Sequence, residues 1–589
     1  MNVSGVIASG IASDEVASDV NPPDMIASDF NEPAVGEQGT DEPAVHQPGM
    51  SRRELSQREL SGPAVTASMD RRGFLRGAAI FAGSLSAAAA GCAPGQPLPA
   101  NPSPQPNAAN PPRPTPAEQL ERQTADALRW AGTDRADWVR TREEADHNVV
   151  VVGGGQSGVS IAYQLRRKGV GRVEVIDMAA PGEAGIWRSV ARMRQLQTPK
   201  TMPGPEMGNP ALGFRAWFET LNGTQAFDAL DRIPRLTWAD YLDWFRETTG
   251  TSVRYRTRLL EVEPAGNLLR LHLESDGQQR IETTRKLVIA TGFAGAGGPS
   301  IPGFLRDLPA DRWMHSSGPV PFEVVAGRVV AVLGAGASAF DAAAVALEGG
   351  AAEVHLFSRR AYIDYPGGAP RGAAPVDRGH SSVSELSADL PDPVRWRNFL
   401  AGERRPASVP RDSIERVMAF PGFRLHLNSP WSAVAVRGAK VIVSVEEREL
   451  PFDYIIAGTG YQIDLSAQPE FARVHEYVAR WNDLYQPEAG EENGAMSAHP
   501  YLGPAFELLP RAGTGAEWVR NIHCFNLAAQ LSFGKPVGDV PSMPDQPRVI
   551  TAIARELYVE GVDVAANKGY MDAPVVPVDP ELYQRAVQL

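Results

Sequence analysis

Two glycine-rich loops carry most of the chemistry that can be read directly from the chain. The first is Gly153-Gly154-Gly155-Gln156-Ser157-Gly158, entered from Val149-Val150-Val151-Val152 and left through VSIAYQLRRKGV. Glycines spaced this way between a strand and a helix bring backbone N–H groups up to a pyrophosphate. Gly153 permits the tight turn, Gly155 lets the backbone approach the phosphates, and Gly158 lets helix and strand pack closely. The strand Val173-Glu174-Val175-Ile176 follows and ends at Asp177. That places a carboxylate about 20 residues beyond the glycines, where it can accept hydrogen bonds from ribose hydroxyls. Strand, glycines, helix, strand and acid fall in register, which is the signature of a dinucleotide site.

The pattern recurs further on. Val329 to Leu333 reads as a strand, Gly334-Ala335-Gly336-Ala337-Ser338-Ala339 as the loop, and FDAAAVALEGG as the helix. Two departures are informative. Ala339 stands where the third glycine would be, and the strand Val354 to Phe357 ends not at an acid but at Ser358-Arg359-Arg360. A cationic pair suits a 2′-phosphate, so this loop is expected to prefer NADPH to NADH.

Positioning two such loops takes an α/β fold with two Rossmann-like dinucleotide-binding domains. Four consecutive β-branched residues in the first strand argue for a sheet covered on both faces. Further strands end at Ala290-Thr291-Gly292 before the second loop and at Ala457-Gly458-Thr459-Gly460 after it. The second domain is therefore expected as an insertion, 326–445, within a first domain made of 146–325 and 446–589. A helical segment, 115–145, precedes them and begins at Thr115-Pro116-Ala117-Glu118, a capping box with proline at the first helical position.

Composition removes other classes. The 589 residues have a net charge of −13, without the basic excess of a nucleic-acid-binding protein. The 2 cysteines, Cys92 and Cys524, form no CxxC pair, which excludes a dithiol redox centre and a cysteine metal site. Residues 1–68 repeat short acidic phrases and lack the apolar content of a folded domain. In 69–92, Arg71-Arg72-Gly73-Phe74-Leu75 resembles the twin-arginine export signal. The apolar run Gly77 to Gly91 is short for a membrane span, and Ala89-Ala90-Gly91-Cys92 resembles a lipoprotein box. Met69 is the expected start of the signal, with 1–68 a disordered extension read as a start-site artefact; a long native extension is the alternative. Export, with a lipid on Cys92 as the sole membrane attachment, is the expected location; the cytoplasm is the alternative. Residues 93–114 form a proline-rich spacer. Oligomeric state is left open.

From Asn148 to Leu557 the chain resembles the class B flavin monooxygenases, which include amino-acid N-hydroxylases. The order of glycine loop, Ala-Thr-Gly strand, second glycine loop and Thr-Gly-Tyr strand carries the resemblance. Smaller matches are Gly185-Ile186-Trp187, the stretch Met193 to Lys200, Phe214 to Phe218, and Ile233-Pro234-Arg235 with Tyr241 and Trp244. The resemblance implies FAD on the first loop, with Trp187 beside it, and NADPH on the second. It implies a small substrate carrying nitrogen, sulfur or a carbonyl, and oxygenation by O₂ through a flavin C4a-hydroperoxide. It also marks His315 as the catalytic candidate and Asp539, with Ser542, near the flavin. The family's F-x-G-x-x-x-H-x-x-x-W motif is incomplete: His315 is present, but Pro309 and Asp311 replace Phe and Gly, and no Trp follows in place. Two other readings therefore stand beside oxygenation: an NADPH-driven flavin reductase or oxidase, and a non-enzymatic exported flavoprotein.

Overall fold

The computed structural model describes residues 114–132, 135–318, 322–363, 387–405, 408–562, 572 and 574–588. The extension 1–68, the signal 69–92 and the spacer up to residue 113 lie outside the described residues. The chain enters through α1 (Pro116–Ala131). The Thr115 hydroxyl accepts from the Glu118 amide at 3.3 Å, and the Glu118 carboxylate accepts from the Thr115 amide at 2.8 Å. Both partners of the expected capping box are thus present.

The first sheet starts with β1 (His147–Val152) and β2 (Val173–Ile176), joined in parallel by α2 (Gln156–Arg167). Later come an aromatic helix, α3 (Phe214–Asn222), and α4 (Arg235–Thr248). A hairpin arm follows: β3 (Thr257–Ala265), β4 (Leu268–Ser275) and β5 (Gln278–Ile289). The two halves of β5 do different work. Its outer half pairs with β4 and is exposed over Gln278–Ile281, whereas Thr284 to Ile289 is fully buried beside β1. Apolar residues on both faces of a strand belong in the middle of a parallel sheet, and that is where the inner half lies.

The second sheet is five-stranded and parallel. In chain order it takes β6 (Trp313–His315), β7 (Val329–Leu333), β8 (Glu353–Phe357) and β9 (Phe423–His426). The antiparallel strands β10 (Trp431–Arg437), β11 (Lys440–Val445) and β12 (Arg448–Phe452) form a separate sheet, and β13 (Tyr454–Ala457) completes the parallel one. Its spatial order is β9–β8–β7–β13–β6. Helix α5 (Ala337–Glu348) packs on one face; its alanines let it lie close to the strands. Val441, Val443 and Val445 of β11 cover the other. Helices α6 (Asp392–Arg404) and α7 (Arg411–Met418) follow the second nucleotide strand. Strand β14 (Ile522–Cys524) then returns to the first sheet beside β5, and α8 (Gln546–Gly561) closes it against α2.

The second sheet extends beyond 326–445 at both ends, because β6 and β13 pair within it. The reason is physical. Tyr454-Ile455-Ile456-Ala457 is buried throughout. Such a strand fits the middle of either sheet, and a parallel partner is chosen by long-range packing that leaves no local trace. Among the described residues, no helix is long and apolar enough to cross a membrane.

Candidate active site

The first glycine loop is built as close packing requires. Gly153 has φ +113°, and a Cβ on it would lie 2.4 Å from the Ala290 carbonyl oxygen. A Cβ on Gly158 would lie 1.8 Å from the Gly153 carbonyl oxygen. Gly155 caps α2 with no side-chain cap, so the first-turn N–H groups stay available to an anion. A Cβ there would meet the Gly185 Cα at 3.4 Å, across a narrow gap to the loop that carries Trp187. Beside these amides the Ser157 hydroxyl is buried with no hydrogen-bond partner. Orphaned buried hydroxyls are uncommon, and one at an uncapped helix start fits a bound phosphate. Asp177, at the end of β2, accepts from the Gly154 amide at 2.6 Å and the Ala179 amide at 2.7 Å. The donor set therefore fits a dinucleotide such as FAD.

Gln156 is the hinge of this site. Its Oε1 accepts from the indoles of Trp187 and Trp238, each at 3.2 Å, and its Nε2 reaches the Gly538 carbonyl at 3.5 Å. One side chain thus ties the first loop to α4 and to a loop far along the chain. Gly538 has φ +106°, and a Cβ on it would sit 3.1 Å from the Gly292 Cα. Asp539 follows and caps the Ser542 amide at 3.0 Å; burial pushes its carboxyl up to about 6. Asn526, fully buried at the end of β14, donates to the Thr291 hydroxyl at 3.1 Å and the Gly295 carbonyl at 3.0 Å. Gly292, Asn526 and Gly538 lie just past the carboxyl ends of β5 and β14, where open α/β sheets bind ligands.

The second loop solves the same packing problem differently. Gly334 also has φ +113°, with its missing Cβ 2.2 Å from the Gly458 carbonyl oxygen. Ala339 is tolerated because the strand side is glycine: a Cβ on Gly458 would lie 2.5 Å from the Ala339 Cβ. Gly336 caps α5 without a side-chain cap, Ala337 begins the helix, and Ser338 is exposed in its first turn. The expected cationic fork is divided. Ser358 is buried and accepts from the Arg360 amide at 3.1 Å. The Arg360 guanidinium donates to the carbonyls of Arg404 at 2.7 Å and Glu403 at 3.2 Å, at the C-terminus of α6. Arg359 is the exposed cation at this strand end.

His315, at the end of β6, is buried. Its Nδ1 accepts from the Ser317 amide at 3.1 Å and lies 2.7 Å from the Ser317 hydroxyl, which places the ring proton on Nε2. Burial lowers its pKa. Arg192 of the first domain donates to the carbonyls of Ser316 at 2.6 Å and Gly318 at 2.7 Å. Nearby, the Arg416 guanidinium of α7 joins Asp341 and Glu348 of α5 and the Arg192 carbonyl. These bonds fix the second loop relative to the first. The two glycine loops, Asp177, Asp539 and the cations after β8 are marked by local sequence pattern, whereas the division of Arg359 from Arg360 is not. Nor are Trp238, Asn526 and the Arg192–Arg416 bridge, since no local spacing marks them.

Where the two domains meet lies a cleft of about 710 Å³. Phe293 (after β5), Tyr461 (after β13), Leu527 (after β14) and Phe399 of α6 line it. Its volume suits a small ligand. Cys524 is buried and its thiol is pushed up to about 12, which leaves it inert.

Comparison with known proteins agrees with this geometry. The chain matches the FAD-NAD(P)-binding family over residues 150–294 and the L-lysine 6-monooxygenase/L-ornithine 5-monooxygenase family over residues 226–365. It shares its fold with ornithine hydroxylase from Pseudomonas aeruginosa (TM-score 0.55, 18% identity, 70% of this chain and 99% of that one). The same holds for the Kutzneria ornithine N-hydroxylase solved with reduced FAD, NADP⁺ and L-ornithine (TM-score 0.52, 15% identity, 70% and 99%). The FAD-dependent urate hydroxylase of Xanthomonas campestris is 38% identical over 448 residues, 74% of this chain and 93% of that protein. The chain is an FAD-dependent oxidoreductase and belongs to the family of this flavin hydroxylase.

Proposed function

We propose that the chain uses NADPH and O₂ to place one oxygen atom on an oxopurine of the urate class. The similarity to a urate hydroxylase over nearly all of that protein's length carries the reading. The balance is NADPH + H⁺ + O₂ + substrate → NADP⁺ + H₂O + hydroxylated substrate. FAD, when bound, supplies electron transfer and oxygen activation. The protein's own residues bind and orient. The α2 N-terminus, Ser157 and Asp177 would hold FAD; Gly336, Ser338 and Arg359 would hold NADPH, with Arg359 the cation available to a 2′-phosphate. Gln156 and Asn526 lock the loops around the crevice. His315 is a positioning residue, since its Nδ1 is used by its own turn and Arg192 clamps the carbonyls that follow.

Purified FAD-loaded protein should consume NADPH fastest with urate, and faster than with ornithine or lysine. NADPH consumption indifferent to every oxopurine would overturn the substrate class, and peroxide release equal to all NADPH consumed would favour the oxidase reading.

The twin-arginine motif and Cys92 support export of the folded, cofactor-loaded protein and its attachment by lipid, with the proline-rich stretch as spacer. Changing Arg71 and Arg72 to Lys should strand it in the cytoplasm, and Cys92→Ser should release it from membranes. Wild type found in cytosol with Met69 to Cys92 attached would contradict export.

A further inference from the structure

We infer that the oxopurine binds in the 710 Å³ cleft, held by a triad of Arg480, His499 and Gln530 that reads its anionic, hydrogen-bonding edge. The inference rests on the substrate class proposed above and names the residues that select it.

The three side chains come from separate segments that the fold ties together. Arg480 forms a β-bridge with Pro500, and the Trp481 amide donates to the His499 carbonyl at 3.0 Å. Gln530 begins a short helix, Gln530–Phe533, that is pinned through Ser532. The Ser532 hydroxyl accepts from the Leu502 amide at 3.1 Å and the Trp481 indole at 3.3 Å, and its carbonyl accepts from Arg395 at 2.9 Å. The triad therefore sits on a rigid frame made by its own neighbours.

His499 has binding capacity to spare, and Arg480 lacks an ionic partner among the described residues. His499 is 6% exposed, and its Nδ1 is buried with no partner. Leaving such a group unmatched costs about 1–3 kcal/mol, so a buried one beside a cleft points to a ligand. Burial holds this imidazole down to about 4, so it is neutral near pH 7 and offers one donor and one acceptor. Arg480 is half-buried and has no carboxylate within ion-pair distance among the described residues. The Gln530 amide lines the same cleft. The acids Glu403 and Asp464 also line it, but both are exposed, and Asp464 accepts from Ser466.

Urate is planar and anionic at neutral pH, with an edge that alternates N–H donors and carbonyl acceptors. An arginine supplies the countercharge, a neutral histidine and an amide match the alternation, and Phe293, Tyr461 and Phe399 offer flat apolar surface.

The test is equilibrium binding of urate and of the uncharged purine hypoxanthine to FAD-loaded protein at two salt concentrations. Arg480→Met should raise the urate Kd about 10- to 100-fold, the range for a lost charge-assisted contact. It should change the hypoxanthine Kd far less and flatten the salt dependence, and Arg480→Lys should restore much of both. Gln530→Glu, which sets a like charge against the anion, should weaken urate similarly and provides a second readout if Arg480→Met folds poorly. If wild type binds urate and both variants bind it as tightly, with the same salt slope, the triad is wrong and the substrate class survives. If wild type binds neither purine, the substrate class falls and the triad with it.

Discussion

The contact between Gly458 and Ala339 allows a quantitative test of how the second nucleotide loop is built. In Gly458→Ala the new methyl would lie 2.5 Å from the Ala339 Cβ and 2.9 Å from its Cα. Both atoms belong to α5 or sit rigidly on it, so neither can swing aside. Overpacking of this kind costs about 1–3 kcal/mol, and contact with helix backbone puts it at the upper end, about 3 kcal/mol. The strain acts on the helix start that would hold the NADPH phosphates, so the NADPH Kd should rise about 100-fold. Ala339→Gly alone should cost about 1 kcal/mol in helix propensity. Combined with Gly458→Ala it removes the 2.5 Å contact and leaves the 2.9 Å one. The double variant should therefore recover part of the loss, with a coupling of about 1–2 kcal/mol. The assay is NADPH binding and thermal unfolding of FAD-loaded protein, with flavin content as control. Gly458→Ala that binds NADPH like wild type, or a strictly additive double variant, would refute the reasoning.

Four further variants test the same geometry. Gly155→Val should abolish FAD binding, because its side chain would fill the gap to Gly185; a purified variant with full flavin content would contradict this. Arg359→Ala should weaken NADPH more than NADH by about 1.5–3 kcal/mol. Arg360→Ala, which loses contacts to α6, should lower thermal stability while leaving the NADPH/NADH ratio nearly unchanged; equal shifts in that ratio would overturn the division. Glu282 is held down to about 2, chiefly by hydrogen bonding to Arg254 and also by His147. A depressed carboxyl pKa stabilises the fold above the ordinary value of 4.5, and that contribution is lost as pH falls from 4.5 toward 2. Glu282→Gln should thus destabilise the protein at neutral pH and narrow its difference from wild type in acid, as followed by unfolding at a series of pH values.

Much of the fold was legible because its strongest signals are local. Val149 to Val152 with its spaced glycines, and Val329 to Leu333 with Gly334 and Gly336, each announce a strand–loop–helix unit within a few residues. What was hidden depends on distance in the chain. The limit at 445 missed β13, because four buried apolar residues suit either sheet. Ser358-Arg359-Arg360 read as one fork, but α6, whose last carbonyls take the Arg360 guanidinium, lies some forty residues away by the spacing of that contact. Arg480 stands in an isolated bridge, His499 in a bend and Gln530 at the start of a four-residue helix, with no period to announce them. They line one cleft because Ser532 and the Arg480–Pro500 bridge draw three segments together. Trp238 is buried, and its indole also fixes Gln156, which no pattern of apolar residues could reveal.

Labelled oxygen distinguishes NADPH-driven oxygenation of the substrate from mere reduction of O₂. FAD-loaded protein is given NADPH, urate and ¹⁸O₂, and product, peroxide and NADPH are counted together. Each molecule of hydroxylated product should carry one ¹⁸O atom, with product formed nearly one for one with NADPH consumed. NADPH consumption with all the label in peroxide, and none in any organic product, would contradict oxygenation of the substrate.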